Sequence, residues 1–568
     1  MLVPLAVKTQ LISLRPADRL LKRTASRCPV CHVACPAEVW RIEGQPAQVL
    51  LKRTCPEHGE ATVCIASDAR FYWLAKGNPE NASCCCGGSA CCASDGSTAG
   101  TLGRNVSGRG NAPFEKLSTC LALIEIVNSC NLSCPTCYAD SPLGAGHKVD
   151  AVPLKDLQRR IQGVVDRKGG VEILQLSGGE PTLHPHFFEL VEWIQENPGI
   201  DYLLLNTNGV RIAHEDEFLA GLARAASRGN FQLYLQFDGV KLEGQHSLRG
   251  ADLRVTRRRA IERCREIHLP LTLAMTVTQE NLPFLWQAIE FGLQFPHVRG
   301  ISFQPMFQSG RIPLNAAKPQ PNTPSPPSDG GEGRAFAAPK WLRPRRRGEE
   351  GSGMPLSSVL SPLLRRRARK KKSARQEIVT TCDDSKGYLD NGEPASRLTG
   401  NASQIVLAEP GPAGRPPHTE RLNTADIILA AVEQSAGRLR FEDFTPLPCG
   451  DPNCATIGYL LKANGRTHSI SDFIDFTQVQ DFLHDKVRYR LEDLMKCGCE
   501  SEPLGELLRK FELNESNTFR LFIKPFMDAG TWDQDRIDRC CTHVIRPDGK
   551  LDSFCRYYSG FPDAVGAP

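Results

Sequence analysis

The sequence predicts an α/β fold, in which a partial (β/α)6 barrel lies between two smaller cysteine-bearing modules. From Leu121 onwards, short apolar runs alternate with amphipathic stretches of helical length, the pattern of parallel strands joined by crossover helices. A chain of 568 residues exceeds what one hydrophobic core usually serves, and its 23 cysteines fall in tight groups rather than singly. We therefore expect a central catalytic barrel with modules attached at both ends.

Changes in residue composition and periodicity along the chain predict five segments. Residues 1–75 form a small cysteine-rich module, and residues 76–118 a Gly/Ser/Cys-rich connector that contains CCCGGSACC. The barrel occupies residues 119–314. Residues 315–418 are rich in Pro, Gly and Ser and carry basic runs, which predicts a disordered insertion. Residues 419–568 form a C-terminal module with further cysteines.

Six apolar runs predict the barrel strands, at 121–127, 171–177, 201–206, 231–237, 270–277 and 298–304. Amphipathic stretches predict helices between them, near 154–167, 186–197, 214–227, 252–267 and 283–295. In such a barrel the loops that follow the strands gather at one end, and active sites lie there.

Composition places the protein in the cytoplasm. We find no apolar run long enough to cross a bilayer, and the first twenty residues lack the apolar core of a secretory signal. In a reducing compartment disulfides do not persist, so grouped thiols indicate ligands of metals or clusters.

The net charge of +5 is misleading about binding partners. Residues 334–376 hold 14 Lys or Arg against two acids, a local +12, so the remainder of the chain carries −7. We interpret the basic runs first as solvated linker, and second as a contact for an anionic membrane or nucleic acid. No nucleic acid is expected as a partner, and peripheral membrane contact stays open.

The segment IEIVNSCNLSCPTCYAD begins in the first barrel strand and continues into the loop after it. It contains Cys130, Cys134 and Cys137. Three thiolates can hold three irons of a 4Fe-4S cluster and leave the fourth iron free for another ligand. A zinc site or an electron-transfer cluster is the alternative, but such sites are normally saturated by four protein ligands, and no fourth cysteine follows nearby.

This motif resembles that of the radical S-adenosylmethionine (SAM) superfamily, and the resemblance extends to LSGGEPTLHP at the end of the second strand. It implies a 4Fe-4S cluster that splits SAM reductively into methionine and a 5′-deoxyadenosyl radical, which removes hydrogen from an unactivated carbon. It also implies that the acid and the main chain of the GGEP element hold the amino group of SAM. The residues that match are Tyr138, Ser177, Gly178, Gly179, Glu180 and Pro181.

Three polar residues after the third and fourth strands are further candidates for SAM or substrate binding. They are Asn206 and Asn208 of NTNG, and Asp238 of FDG. The alternative is turn chemistry, because Asn-Gly and Asp-Gly favour turns. Arg249 and Gln304 are weaker candidates of the same kind.

Before the barrel, CPVC and CPEHG lie about one β-hairpin apart, as in a zinc ribbon or rubredoxin knuckle. Cys28, Cys31 and Cys55 are predicted to hold a mononuclear zinc or iron. The fourth ligand is left open between Cys35, His58 and Cys64, as is the choice between a structural and a redox role.

After the barrel, LPCGDPNC and DRCCTHVIRPDGKLDSFC supply further thiols. Cys449, Cys454, Cys541 and Cys555 are predicted to saturate an auxiliary 4Fe-4S cluster, with a zinc site or unligated core cysteines as the alternatives.

Together these motifs resemble the group that contains tetraether lipid synthase and a dihydropterin-modifying radical SAM methylase. The resemblance implies two activities: coupling of lipid alkyl chains through a carbon–carbon bond, or methyl transfer to a pterin or similar heterocycle. A third hypothesis is a non-catalytic carrier of electrons, against which the GGEP element argues. The enzymatic hypotheses need a reducing donor such as flavodoxin or ferredoxin, and a lipid or small-molecule substrate.

Overall fold

The computed structural model describes residues 16–75, 119–144, 149–312, 421–447, 450–463, 466–472 and 518–560. The predicted connector and insertion lie outside these residues, as does Cys449. All the described residues belong to one unit, which is formed by chain segments on both sides of residues 318–414.

The N-terminal module is a four-stranded antiparallel sheet in the order of the chain. Its strands are β1 (Arg19–Arg27), β2 (Ala34–Ile42), β3 (Gln48–Cys55) and β4 (Gly59–Ala66). Because β1 and β3 run in the same direction, the β1–β2 and β3–β4 turns, which carry the CPVC and CPEHG residues, lie at the same end of the sheet. The buried core of this sheet is small, built around Val39, Val49 and Leu51, so the module needs additional support.

The barrel consists of six parallel strands, as the apolar runs predict. They are β5 (Leu121–Val127), β6 (Val171–Gly178), β7 (Ile200–Thr207), β8 (Phe231–Gln236), β9 (Leu271–Val277) and β10 (Val298–Pro305). Each pairs in parallel with the next along the chain. Because the strands are parallel, their carboxyl ends all lie at the same end of the barrel. The motif residues come directly after these strand ends.

Helices cover the outer face of these strands. They are α1 (Leu154–Lys168), α2 (Phe187–Glu196), α3 (Val210–His214), α4 (Asp216–Ala226), α6 (Arg254–Glu266) and α7 (Leu285–Leu293). The short helix α5 (Gln245–Arg249) lies instead beside the loop that follows β5, where Thr136 Oγ1 donates to the Ser247 carbonyl. The strand residues that face the helices are fully buried, for example Leu203 and Leu205, while Asn206 between Leu205 and Thr207 is only partly buried on the concave face.

The C-terminal segment lengthens the sheet at both edges, which the sequence does not predict. It forms α8 (Thr424–Gln434), β11 (Phe444–Pro446), β12 (Thr456–Ala463), β13 (Arg466–Ser469), β14 (Thr518–Ile523), α9 (Gln534–Asp538), β15 (Thr542–Ile545), β16 (Leu551–Ser553) and α10 (Phe554–Ser559). β14 pairs in parallel with β10, and β15 in parallel with β5. The two edges approach each other where Lys524 Nζ donates to Thr542 Oγ1 at 2.8 Å.

The N-terminal sheet is held against the segment between β14 and β15. Ser26 Oγ donates to the Trp532 carbonyl at 2.6 Å, and Arg53 donates to the Gly530 carbonyl at 2.7 Å. Lys22 of β1 pairs with Asp533 at 2.8 Å. These contacts join the first and last parts of the chain into one folded unit.

None of the helices in the described part of the chain is long and apolar enough to span a membrane.

Candidate active site and metal centres

The loop after β5 carries the three cysteines of the barrel and is fixed by main-chain hydrogen bonds on both sides. Cys130 N donates to the Pro142 carbonyl at 2.9 Å. Cys137 and Arg311 exchange two hydrogen bonds, each 2.9 Å long, like residues of an antiparallel pair. The segment that follows β10 therefore holds the cysteine loop in place at the open end of the barrel through these hydrogen bonds.

Gly178 and Gly179 of the second motif permit a close approach between two backbones. A Cβ at Gly178 would lie 2.1 Å from the Val127 carbonyl oxygen, and one at Gly179 would lie 2.1 Å from that of Ser129. Gly179 N donates to the Val127 carbonyl at 2.8 Å, and Glu180 N to that of Ser129 at 3.0 Å. The glycines thus hold the motif directly against the cysteine loop.

The Glu180 side chain links two loops at the open end of the barrel. Its carboxylate is 1% exposed and accepts hydrogen bonds from Thr182 Oγ1, Thr207 Oγ1 and Asn208 N, each at 2.7 Å. Burial raises its pKa, and these hydrogen bonds oppose that shift. Through these hydrogen bonds the acid joins the GGEP and NTNG loops, and its contact with the amino group of SAM stays a prediction. Pro181 begins the short turn of helix that follows.

The polar residues at the ends of β6 and β7 form a connected chain. Asn206 Nδ2 donates to Ser177 Oγ at 3.0 Å, and Ser177 Oγ lies 3.4 Å from the Tyr138 hydroxyl. Gln175 donates to Asn206 Oδ1. The structure therefore brings Tyr138, Ser177 and Asn206 together, and it adds Gln175, which sequence reasoning missed although its position two residues before Ser177 places it on the same face.

Asn208 lies beside the cysteine loop instead. Its Nδ2 donates to Asn131 Oδ1 at 2.6 Å and lies 3.8 Å from Cys130 Sγ. Its Oδ1 accepts from Val210 N at 3.0 Å, an Asx-type contact at the start of α3. Asn208 thus combines the predicted turn role with a position next to a cluster cysteine.

Asp238 is also placed at this end of the barrel, after β8. Its carboxylate forms a two-point ion pair with Arg249, with distances of 2.6 and 2.8 Å. Gln304, the other weaker candidate, donates to the Tyr234 hydroxyl at 2.9 Å.

Tyr138 lies in an aromatic cluster contributed by the C-terminal segment. Its ring centroid is 4.8 Å from that of Tyr558 and 5.8 Å from that of Phe554, both on α10. The hydroxyls of Tyr557 and Tyr558 both donate to the Glu125 carboxylate at 2.8 Å. The C-terminal helix that carries Cys555 is therefore part of the wall beside the cysteine loop.

In the N-terminal sheet, the ligand atoms of Cys28, Cys31, Cys55 and His58 all lie within 4.8 Å of one another. Cys55 Sγ is 3.7 Å from both Cys31 Sγ and His58 Nδ1. Among the predicted fourth ligands, the structure brings His58 into this group, whereas Cys35 and Cys64 are buried elsewhere in the sheet.

The described C-terminal cysteines gather on the other side of α10. Met527 N donates to Cys555 Sγ at 3.3 Å, and Arg536 donates to Cys454 Sγ at 3.8 Å. A Cβ at Gly450 would lie 3.3 Å from Cys541 Sγ. Cys540, which was not among the predicted ligands, has its thiol directed to the Thr542 carbonyl at 3.1 Å.

Two models of known protein families match parts of this chain. The model of the radical SAM superfamily matches residues 124–291, which include the cysteine loop and the strands β6 to β9. The barrel is a radical SAM domain. The model of the "HMPTM N-terminal zinc ribbon domain" matches residues 20–67, which include all four strands of the N-terminal sheet.

Among curated proteins, the chain is similar to 7,8-dihydro-6-hydroxymethylpterin dimethyltransferase of Methanocaldococcus jannaschii. The two are 27% identical over 94% of this chain and 93% of that protein. The GTP 3′,8-cyclase of Actinobacillus pleuropneumoniae serotype 3 is 31% identical over 18% of this chain and 29% of its own length. Among solved structures, Streptococcus suis SuiB bound to S-adenosylmethionine matches 35% of this chain and 42% of its own, with 17% identity and a TM-score of 0.28.

The thiols of the radical SAM domain fit the 4Fe-4S cluster and SAM that this family implies. A single tetrahedral metal holds thiolates about 3.8 Å apart, since each metal–sulfur bond is about 2.3 Å long. Cys130, Cys134 and Cys137 converge, yet within the described ranges they do not form a group tight enough for one ion.

The N-terminal group fits one metal ion. Its Cys31–Cys55 distance of 3.7 Å matches the separation of about 3.8 Å for thiolates around a tetrahedral ion. The prediction of a mononuclear metal in a ribbon is confirmed, and zinc and iron both suit three thiolates and one imidazole.

Proposed function

We propose that the protein is a radical SAM methyltransferase that acts on a pterin or a similar heterocycle. The observation that carries the proposal is the extent of the match to the methanogen dimethyltransferase, which runs through nearly all of both chains. A match of this extent reaches the ribbon and the C-terminal segment as well as the barrel.

The concave face of the barrel supports the choice of a polar substrate. Side chains on this face bond to one another across strands, as in the Gln232–Thr272 hydrogen bond of 2.9 Å and the Gln304–Tyr234 bond of 2.9 Å. Amides retain donors and acceptors after one such bond, so they can recognise the nitrogen and oxygen atoms of a heterocycle. A lipid chain would leave the remaining donors and acceptors of these amides without a partner, at a cost of about 1–3 kcal/mol each.

When bound, the cluster and SAM supply a 5′-deoxyadenosyl radical that removes hydrogen from the substrate. The chain's own contribution is to hold the cysteine loop against GGEP and to place the polar face beside it. Cys130, Cys134 and Cys137 would hold the cluster. Main-chain groups of residues 177–179 would orient SAM or substrate, together with the hydrogen-bonded side chains of Asn206, Ser177 and Tyr138.

We also propose an auxiliary 4Fe-4S cluster at Cys449, Cys454, Cys541 and Cys555. Support comes from the gathering of the three described cysteines around the 524–541 segment and from Arg536, a buried cation that pairs with Cys454. The reductant, for which flavodoxin or ferredoxin is the expectation, and any peripheral contact with a membrane stay predictions.

The test is an anaerobic reaction of reconstituted protein with SAM, a reductant and 7,8-dihydro-6-hydroxymethylpterin, followed by mass spectrometry. SAM labelled in its methyl group is used in one arm, and an added one-carbon carrier in another, because the source of the methyl group is open. We expect 5′-deoxyadenosine and a pterin that is heavier by one or more methyl groups.

Two variants control this reaction. Cys134→Ala should abolish SAM cleavage, whereas Cys264→Ala, which removes a buried thiol on α6, should retain it. SAM cleavage without any change in the pterin would exclude this substrate. Comparison of membrane lipids from cells with and without the gene then tests alkyl coupling, and no SAM cleavage at all would favour the electron carrier.

A further inference from the structure

Glu125 of β5 belongs to a row of polar side chains that crosses the concave face of the barrel at one level. Its register partner on β6 is Ser177, whose Oγ accepts from Asn206 Nδ2 at 3.0 Å, and Asn206 has Tyr234 as its register partner on β8. Ile124, the preceding residue of β5, is fully buried on the opposite face. Successive side chains of a strand point to opposite faces, so Glu125 points into the barrel. Ser177, Asn206 and Tyr234 are neutral, so Glu125 supplies the charge of this row.

The carboxylate of Glu125 is oriented by two tyrosines of α10. The Tyr557 hydroxyl donates to Oε2 and the Tyr558 hydroxyl donates to Oε1, each at 2.8 Å. Burial and the Glu125 charge raise the pKa of the Tyr557 hydroxyl, so this group stays a protonated donor. A carboxylate has about four acceptor positions, two on each oxygen. With one tyrosine on each oxygen, the carboxylate retains an acceptor position on both for a ligand.

The same tyrosines place Glu125 beside the cysteine loop. The ring centroid of Tyr558 lies 4.8 Å from that of Tyr138, at an interplanar angle of 90°. Tyr138 directly follows Cys137, and its hydroxyl lies 3.4 Å from Ser177 Oγ in the polar row. A ligand bound by Glu125 would therefore lie next to the loop whose cysteines would hold the cluster.

The geometry of a fixed carboxylate selects one kind of ligand edge. Two acceptor oxygens in one plane match two parallel N–H donors, as in the two-point contact between a guanidinium and a carboxylate. A 2-amino-4-oxopyrimidine ring, which is part of every pterin, carries such a pair in its 2-amino group and the adjacent N3–H. In a lumazine an oxygen replaces the 2-amino group, so an acceptor would face the carboxylate. An alkyl chain offers no donor at all.

We propose that Glu125, oriented by Tyr557 and Tyr558, binds the 2-amino and N3–H edge of the substrate and makes the site specific for pterins over lumazines. The inference rests on the proposed function, because it names the part of the pterin that this site recognises. Binding forms two hydrogen bonds and no covalent bond. A site built to pair with an N–H group rejects the analogue that lacks it, because the buried acceptor is then left without a donor.

The experiment compares two ligands that differ at this edge alone. The full chain, reconstituted with iron and sulfide in the absence of oxygen, is dialysed to equilibrium against 7,8-dihydro-6-hydroxymethylpterin or the corresponding lumazine. We expect the wild type to bind the pterin about 100-fold more tightly, because the lumazine exchanges a charge-assisted hydrogen bond for a contact between two acceptors. In Glu125→Gln this preference should fall to about tenfold or less, because the glutamine amide can donate to the lumazine oxygen.

The ratio of the two affinities does not depend on the folded fraction of a variant, so partial unfolding cannot imitate the expected result. Tyr558→Phe removes one of the two hydroxyls that orient the carboxylate and should lower the preference by a smaller factor than Glu125→Gln. Glu192→Gln changes an exposed acid on α2, on the outer face of the barrel, and should keep the wild-type preference.

Three results would overturn the proposal. If Glu125→Gln and Tyr558→Phe keep the wild-type preference, the carboxylate only attaches α10 to β5. If the wild type binds both ligands equally well, the site does not read this edge of the ring. Both of these results leave pterin methylation intact as the proposed function. If the wild type binds neither ligand, the proposed function fails, and this inference fails with it.

Discussion

Substitution of Glu180 separates two roles that the GGEP motif can have, a structural link and a ligand contact. Glu180→Ala removes the acceptor for Thr182 Oγ1, Thr207 Oγ1 and Asn208 N. Each buried donor left unpaired costs about 1–3 kcal/mol, so we expect a loss of about 3–5 kcal/mol, since such costs are not fully additive. Glu180→Gln keeps one oxygen for the threonines but sets an NH2 group against Asn208 N, and should cost about 1–2 kcal/mol.

The assay is thermal unfolding of the protein without SAM, followed by circular dichroism. At about 2 °C per kcal/mol for a large domain, the melting temperature should fall by about 5–10 °C for Glu180→Ala and less for Glu180→Gln. Glu189→Gln on the exposed face of α2 is the matched control and should change little. If both Glu180 variants melt like the wild type and only bind SAM more weakly, the carboxylate contacts SAM and our interpretation is wrong.

Three further outcomes are expected. His58→Ala should lower the metal content of the ribbon, measured by atomic emission, whereas Cys35→Ala should retain it; the reverse would move the fourth ligand to Cys35. Gly179→Ala should lose the cluster of the radical SAM domain, measured as iron per chain, because its Cβ would lie 2.1 Å from the Ser129 carbonyl oxygen, while Gly163→Ala on α1 should keep it. Lys462→Met should stabilise the protein at pH 7 by about 1–2 kcal/mol in denaturant titrations. Burial and Arg299 lower the Lys462 pKa from 10.5 to about 8, so a charged Lys462 destabilises the fold below pH 8. The gain should shrink between pH 8 and 10.5, and a gain independent of pH would refute this reasoning.

The barrel could be predicted because its signals are local. Each strand is an apolar run bounded by polar turns, and the observed β5, Leu121–Val127, coincides with the run at 121–127. The cysteine loop and GGEP could be placed at the same end of the barrel because both follow strands that run in parallel.

The contribution of β14 and β15 to the same sheet could not be predicted, because it depends on pairing between distant parts of the chain. Residues 121–123 of β5 pair with 542–544 of β15, and no periodicity within either segment indicates its partner. The contacts of Glu180 could not be predicted for a similar reason. The motif shows that an acid is present, but only the fold shows that Thr207 and Asn208 occupy its oxygens.

The fourth ligand of the ribbon illustrates a choice that spacing alone leaves open. Cys35, His58 and Cys64 all lie close in sequence to the firm ligands. The fold favours His58, because it lies in the same turn as Cys55 and its ligand atom is within 4.8 Å of the three cysteine ligands, whereas Cys35 and Cys64 lie outside this group.

The placement of β14 and β15 also has a consequence for the order in which the protein is made. A ribosome completes β10 at residue 305 long before it reaches β15 at residues 542–545. At ~5–20 residues per second, this interval is on the order of 10–50 seconds. During that time a nascent six-stranded sheet has β5 and β10 as open edges, whose unpaired main-chain groups can join the strands of other chains. β14 and β15 therefore close the two edges of this sheet only late in synthesis.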